Sequence, residues 1–447
     1  MGQIKTKLIM GNELEDGIKL KESNYSVLYN DSECSDYCFT LTPSVLARHV
    51  LLMGGAGSGK TNAMDITIKQ LREKQTSEDV FIFFDTKGDY YKEFYQTGDS
   101  VIGTGKDYED SSRRWNLYEE ILADGDDPKY YSINAKEISA ALFDDRGSSA
   151  QPFFVNAAKD IFAKVMQYNI SKAQENPLEY VKYLNNKSLL EFLQNDISMQ
   201  DFSKMASERD FMKGLLTYLG DGKNGQALGV LAELKSMLSD YFVGVFADND
   251  YKDRFSMRKF VKEKGGKAVF IEYDLMTGET LTPIYKLLVD LALKEALGRS
   301  DEDKTNGNIY LVLDELKLLP KLKHLDDALN FGRSKGVKVL AGIQSINQLY
   351  DIYGEEKGHV IAGGFSTLFA FRTADSASRK YVTDLFGTNV IGYQYMGIDN
   401  RPIPREREGN VVETWDQTKL TIGEAIIGLA DREAPFLFQF EEFISNR

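Results

Sequence analysis

Among 447 residues there are two cysteines, three histidines, nine prolines and two tryptophans, and each scarcity removes a class of protein. Two cysteines cannot staple a disulfide scaffold, and three histidines leave no second ligand pair for a Cys/His metal site. Cys34 and Cys38 read as ordinary thiols of a reduced compartment. No run of about 18 uncharged apolar residues occurs, so no spanning helix is expected. The opening Met-Gly-Gln-Ile-Lys-Thr-Lys lacks the apolar core of a secretory signal, and Gly2 alone is discounted as a lipidation site. Positive charge is also short: 54 Lys and Arg against 68 Asp and Glu give a formal net charge of -14. A protein that coats nucleic acid with a basic surface is thereby excluded, and any such contact must be local.

What is present is a phosphate loop. The apolar run His49-Val50-Leu51-Leu52-Met53 leads into Gly54-Gly55-Ala56-Gly57-Ser58-Gly59-Lys60-Thr61, a complete G-x-x-x-x-G-K-T. Polyphosphate is wrapped by successive backbone N–H groups, which side chains would obstruct, and the following helix points its positive end at the anion. Lys60 suits the β- and γ-phosphates and Thr61 suits Mg²⁺, so ATP and Mg²⁺ are the expected ligands. A second half of such a site needs acids at a strand end. Ile309-Tyr310-Leu311-Val312-Leu313 ends in Asp314-Glu315, with Asp314 suited to Mg²⁺ and Glu315 to polarising water. Gln344, after the strand Val337–Ala341, is placed to sense the γ-phosphate or hold the water. Arg333, in Phe331-Gly332-Arg333-Ser334-Lys335, reads equally as a solvated arginine or as a finger presented by a neighbouring subunit.

The fold expected is α/β, a RecA-like P-loop NTPase core with a mostly parallel sheet, an all-α inserted domain and a small N-terminal β region. The boundaries are an N-terminal β appendage over 1–48, a nucleotide-binding domain in two parts over 49–126 and 251–447, and the all-α insertion over 127–250. Buried strands are expected at Val80–Phe84, Ala268–Tyr273, Ile309–Leu313, Val337–Ala341 and Thr367–Phe371. Helices follow the phosphate loop to about Lys74 and occupy Phe153–Gln167, Leu228–Leu238, Ser256–Lys264 and Thr282–Leu297. Arg401–Gly409 reads as a charged loop.

The run Leu313-Asp314-Glu315-Leu316, then Leu325-Asp326-Asp327-Ala328-Leu329-Asn330-Phe331-Gly332-Arg333-Ser334-Lys335-Gly336-Val337, then Leu340-Ala341-Gly342-Ile343-Gln344-Ser345, resembles the conjugative type IV secretion coupling ATPases, grouped with the FtsK-like and HerA-like DNA pumps. Phe84-Asp85-Thr86-Lys87-Gly88-Asp89, Trp115-Asn116 and Leu385-Phe386-Gly387 match in the same order, over roughly residues 45 to 445. The resemblance implies a homo-hexameric motor that moves DNA through a central channel. It assigns Lys60 and Thr61 as nucleotide ligands, Asp314 as the Mg²⁺-side acid, Glu315 as base, Gln344 as sensor and Arg333 as a finger acting in trans. It further implies delivery of relaxase-bound DNA to a conjugation or secretion apparatus, with substrates docking on the all-α domain. Many members carry an N-terminal membrane anchor. This sequence shows none, so the expectation is a cytoplasmic protein brought to the inner face of the membrane by another subunit. A HerA-like translocase of repair or defence and a nucleotide-controlled docking module are the alternatives. Arg258–Lys267 and Lys317–Lys323 are the candidate DNA-facing loops.

Overall fold

Runs such as Val80-Phe81-Ile82-Phe83-Phe84 carry no polar alternation, so both faces of the strand must be covered, as happens when helices lie on either side of a parallel sheet. The computed structural model describes residues 6–15, 24–27, 38–108, 110–144, 152–220, 222–223, 225–247, 254–300, 307–396 and 402–445. Gly2 and Cys34 fall outside them.

The chain forms two compact units: 1–97 with 265–268 and 296–447, and 98–264 with 269–295. In the first unit the strands run Phe436–Gln439, Glu424–Gly428, Thr367–Phe371, Val50–Met53, Val337–Ile343, Ile309–Leu313 and Val80–Asp85 across the sheet. The five from Thr367–Phe371 to Val80–Asp85 are parallel, and the two at the other edge are antiparallel to their neighbours. All five parallel strands are buried throughout. Register brings Met53, Ile343, Leu313 and Phe84 to one end of the sheet: Ile343 pairs with Met53, and Leu313 with both Ala341 and Phe84. The strand leading to Gln344 therefore lies between the phosphate-loop strand and the acidic strand.

The helix Lys60–Glu73 buries Ala63, Met64, Thr67, Ile68 and Leu71, a helical stripe facing the sheet. Residues 440–445 strap across it. Asn62 Nδ2 donates to the Glu441 carbonyl at 2.7 Å, the Phe443 N–H donates to Asn62 Oδ1 at 2.7 Å, and Ser445 Oγ donates to Glu93 at 2.7 Å.

The N-terminal strands are woven into this unit. Cys38–Leu41 pairs with Asn24–Val27, and Phe39 packs edge-on against Phe438 at 4.7 Å between ring centroids. Thr6–Met10 pairs with Thr388–Met396, which in turn pairs with Pro402–Asn410 over nine positions. The stretch read as a charged loop, 401–409, is therefore largely a strand. Its charges alternate on an exposed hairpin, so no apolar period announces it.

In the second unit the described residues between Pro128 and Ala247 form helices and connections only, chief among them Pro128–Phe143, Pro152–Glu175 and Gly225–Tyr241. Glu120, fully buried, accepts from Trp115 Nε1 at 3.0 Å, Ser256 Oγ at 2.8 Å, Met257 N at 2.6 Å and Arg258 N at 3.1 Å. It thereby caps the helix Met257–Glu263. No helix among the described residues is long and apolar enough to cross a membrane.

Candidate nucleotide site

The phosphate loop, Asp314, Glu315 and Gln344 lie on loops leaving the same end of the parallel strands, the place where open α/β sheets bind ligands. Gly54 N–H donates to the Ile343 carbonyl at 3.2 Å and Gly55 N–H to the Arg372 carbonyl at 2.9 Å, fixing the phosphate loop between its two neighbouring strands. Gly57 and Gly59 have φ of +69° and +108°, and Gly59 caps the helix that starts at Lys60. The loop is tightly backed. A Cβ on Gly54 would stand 2.6 Å from Phe371 Cβ, and one on Gly59 2.7 Å from Gly423 Cα. A Cβ on Gly57 would meet nothing.

Lys60 Nζ donates to the Gly54 and Gly55 carbonyls at 2.7 and 3.1 Å, curled over the loop it would share with a phosphate. Burial lowers its pKa, and the nearby Asp314 and Glu315 oppose that shift. Thr61 Oγ1 stands 3.5 Å from Asp314 Oδ2, long for a direct hydrogen bond and suited to two ligands of one cation. Burial raises the Asp314 pKa against the pull of Lys87 and Lys60. Gly342 makes room for this acid, since a Cβ there would meet the Asp314 carbonyl at 2.2 Å.

Gln344 Nε2 donates to Glu315 Oε2 at 2.8 Å. Gln348, not singled out from the sequence, accepts the Gln344 N–H at 2.9 Å and brings its own Nε2 to 3.5 Å from the other Glu315 oxygen. Its four-residue spacing from Gln344 gains meaning only through the turn into the helix Asn347–Tyr353. Arg372 was missed too. It is an exposed cation at the end of the strand on the far side of the phosphate loop, the strand-end position that Asp314 and Gln344 occupy on theirs.

Asp85 accepts from Lys87, Gly88 and Tyr91 N–H at 3.1, 3.0 and 3.1 Å, so it builds the turn beside the site. Arg333 is exposed and precedes Val337, at the opposite end of the seven-residue strand Val337–Ile343. At about 3.3 Å per residue it stands roughly 20 Å from the phosphate loop of its own chain. Of the candidate DNA-facing cations, Arg258 is withdrawn: its side chain is 4% exposed and bonds Asp124 at 2.7 Å and Glu295 at 2.9 Å. Lys259 and Lys262 pair with Glu119 and Asp124. Lys317 and Lys321 remain exposed beyond Glu315.

The donors fit Mg²⁺ and a nucleoside triphosphate. The buried Ser58 hydroxyl has no hydrogen-bond partner among the described residues, and the open flank of Gly57 leaves room for phosphate oxygens. Among the described residues no cluster of three acidic, Cys or His side chains could hold a metal by itself. Mg²⁺ needs none, since it takes one carboxylate or hydroxyl together with substrate phosphates.

Residues 39–400 match the model of a family described as the type IV secretion-system coupling protein DNA-binding domain. The coupling protein TraD of Escherichia coli (strain K12) is 22% identical over 372 residues, covering 80% of this chain and 45% of TraD. The chain thus spans less than half the length of that curated relative. Among solved structures, the bacterial conjugative coupling protein TrwBdeltaN70 in its unbound monoclinic form has a TM-score of 0.73 at 18% identity, over 100% of this chain and 97% of its own. The plasmid coupling protein TrwB in complex with ADP and Mg²⁺ has a TM-score of 0.70 at 18% identity, over 100% and 98%. At that identity the likeness is one of fold. With the family model covering most of its length, the chain belongs to the type IV secretion-system coupling protein DNA-binding domain family.

Proposed function

We propose that this chain is an ATP-driven motor that takes up DNA, with a bound relaxase, and passes it to a conjugative or type IV secretion apparatus. The observation that carries the reading is the convergence of Lys60, Thr61, Asp314, Glu315 and Gln344 at one end of one sheet, from segments more than 250 residues apart. The related TrwB, solved with ADP and Mg²⁺, supports the same ligands here.

In this mechanism the N–H groups of residues 55–60 and the N-terminus of the helix Lys60–Glu73 hold the β- and γ-phosphates, and Lys60 leaves the Gly54 and Gly55 carbonyls to pair with them. Thr61 and Asp314 hold Mg²⁺, which supplies charge neutralisation across the phosphates. Glu315 takes the proton of the attacking water. Gln344, tied to Glu315, couples that base to the phosphate end of the site, so that γ-phosphate loss shifts the strand lying between the phosphate loop and the acids. Arg333, out of reach within its own chain, serves a neighbouring subunit, which makes a homo-hexamer the natural working form. The helical insertion offers the docking surface for relaxase or other secretion substrates. The protein works on the cytoplasmic side of the membrane.

Steady-state ATP hydrolysis with and without single- and double-stranded DNA tests the reading, alongside Lys60→Ala and Arg333→Ala. DNA-stimulated turnover lost in both variants is the expected result. Turnover indifferent to DNA, with Arg333→Ala unaffected, would refute the motor and leave a nucleotide-controlled docking module.

A further inference from the structure

The hairpin of Thr388–Met396 and Pro402–Asn410 presents two chemically different faces. In an antiparallel pair, residues directly opposite each other share a face, and so do residues two apart along a strand. The pairs Tyr393 with Arg405 and Ile391 with Arg407 therefore lie on one face. Gly392 with Glu406 and Val390 with Glu408 lie on the other. Every residue from Pro402 to Glu408 is exposed. All the arginines of this strand are thus on one side and all its glutamates on the other.

The arginine face continues onto the next element. Arg407 lies over the ring of Trp415, with its guanidinium carbon 5.6 Å from the centroid, and Trp415 is itself 46% exposed. Glu413 holds Arg407 there, with Oε1 accepting from Nη2 at 3.2 Å, and leaves the rest of the guanidinium open. Arg405 is exposed beside Tyr393 and makes no hydrogen bond or ion pair among the described residues. Two arginines at i and i+2 on a strand stand about 6.8 Å apart, close to the step between phosphates of an extended single strand. A protein of net charge -14 that turns the glutamates of this strand to the opposite face, with Glu413 pairing to Arg407 and Arg405 left open, has sorted those charges toward an anion.

The geometry points to this face, Tyr393, Arg405, Arg407 and Trp415, as a single-stranded nucleic-acid platform: the arginines follow phosphates and the aromatic rings stack on bases. Duplex backbone contact needs no exposed aromatic rings, whereas single strands are held by this combination of cations and stacking surfaces. The assignment rests on the DNA reading above and gives it a surface on a different element from the cations of Lys317–Lys323.

Fluorescence anisotropy of a labelled oligothymidylate with the full chain, across a salt series, tests it. Arg405→Gln is expected to weaken binding about fivefold at low salt and to reduce the log–log salt slope by about 0.7, the share of one phosphate contact on a single strand. Trp415→Ala is expected to weaken binding about tenfold with the slope unchanged, because stacking releases no counterion. Wild-type melting curves for both variants exclude misfolding. If the wild type binds and neither variant weakens it, the platform is refuted while the motor reading stands. If the wild type binds no DNA of either kind, the DNA reading itself fails and the platform with it. Loss confined to duplex DNA, or to anionic phosphatidylserine vesicles, overturns the single-strand assignment.

Discussion

Gly59→Ala and Gly57→Ala differ by two positions in one loop, yet the structure separates their effects. Both glycines have positive φ, so alanine at either adopts a backbone it disfavours, at a cost of about 1–2 kcal/mol. At Gly57 nothing else is touched, because the new methyl meets open space. At Gly59 the methyl falls 2.7 Å from Gly423 Cα and 2.8 Å from Gly423 N. Both are backbone atoms that no rotamer change can move. Separating the segments breaks the bond from Gly423 N–H to the Ser58 carbonyl, 3.0 Å long, adding about 1 kcal/mol for the bond and more for the displaced backbone. Gly59→Ala should therefore lose about 3 kcal/mol or more, against about 1–2 for Gly57→Ala. Urea unfolding of the nucleotide-free protein reads the first quantity, and titration with a fluorescent ATP analogue reads the second effect. Gly57→Ala should give up only its backbone cost of about 1–2 kcal/mol yet lose nucleotide affinity, since its flank is where phosphate oxygens would lie. Gly59→Ala should lose both. Equal unfolding midpoints for the two variants would refute the backing of the loop by Gly423.

Glu315→Gln should bind the ATP analogue as wild type does and hydrolyse at least a hundredfold more slowly, and Gln344→Ala should slow turnover with little change in binding; parallel turnover and binding titrations check both. His49, buried just before the phosphate-loop strand with its pKa lowered to about 4, is neutral in the fold and protonates in the unfolded chain below about 6.5. Its contribution is thus complete above pH 6.5 and declines as pH falls toward 4, by roughly 3 kcal/mol in all. His49→Asn, which tolerates the φ of +61° and keeps an acceptor for the Val339 N–H, should flatten the melting temperature over that window. Asp65 behaves oppositely. Burial first, then Asp314, Asp89, Glu93 and Asp85, push its pKa up to about 8, so stability falls as pH rises from 3.8 to 8. The gain in melting temperature of Asp65→Asn over wild type should be nil near pH 4 and greatest above pH 8. Arg258→Ala should cost about 3 kcal/mol by urea unfolding of the second unit, because Asp124 and Glu295 lose their buried partner and keep the more exposed Lys262.

The phosphate loop, the acidic pair and Gln344 are legible in the sequence because each ends a run of apolar residues long enough to be a buried strand. Ile309–Leu313 and Thr367–Phe371 have the expected bounds, and the helix Pro152–Glu175 extends further at its C-terminal end than its strongest apolar repeat. What escaped notice depends on distant partners. Glu424–Gly428 and Phe436–Gln439 are short edge strands whose pairing is fixed by Thr367–Phe371 and by each other. The hairpin strand Pro402–Asn410 is polar on both faces, and its sheet is completed by Thr6–Met10, some 380 residues earlier. Gly423 is an unremarked glycine in the sequence. Only the fold shows it pressed against Gly59.

The strap over the phosphate-loop helix also sets a schedule for synthesis. Asn62 leaves the ribosome early, but its two partners, Glu441 and Phe443, are made about 380 residues later. At roughly 5–20 residues per second that interval is some 20–75 s. For that time the helix beginning at Lys60 lacks the contacts that fix its first turn. Nascent chains stalled before residue 441 should hold nucleotide poorly even with every phosphate-contacting residue already made. A tag or truncation that disturbs 441–445 should reproduce that immature state in the finished protein.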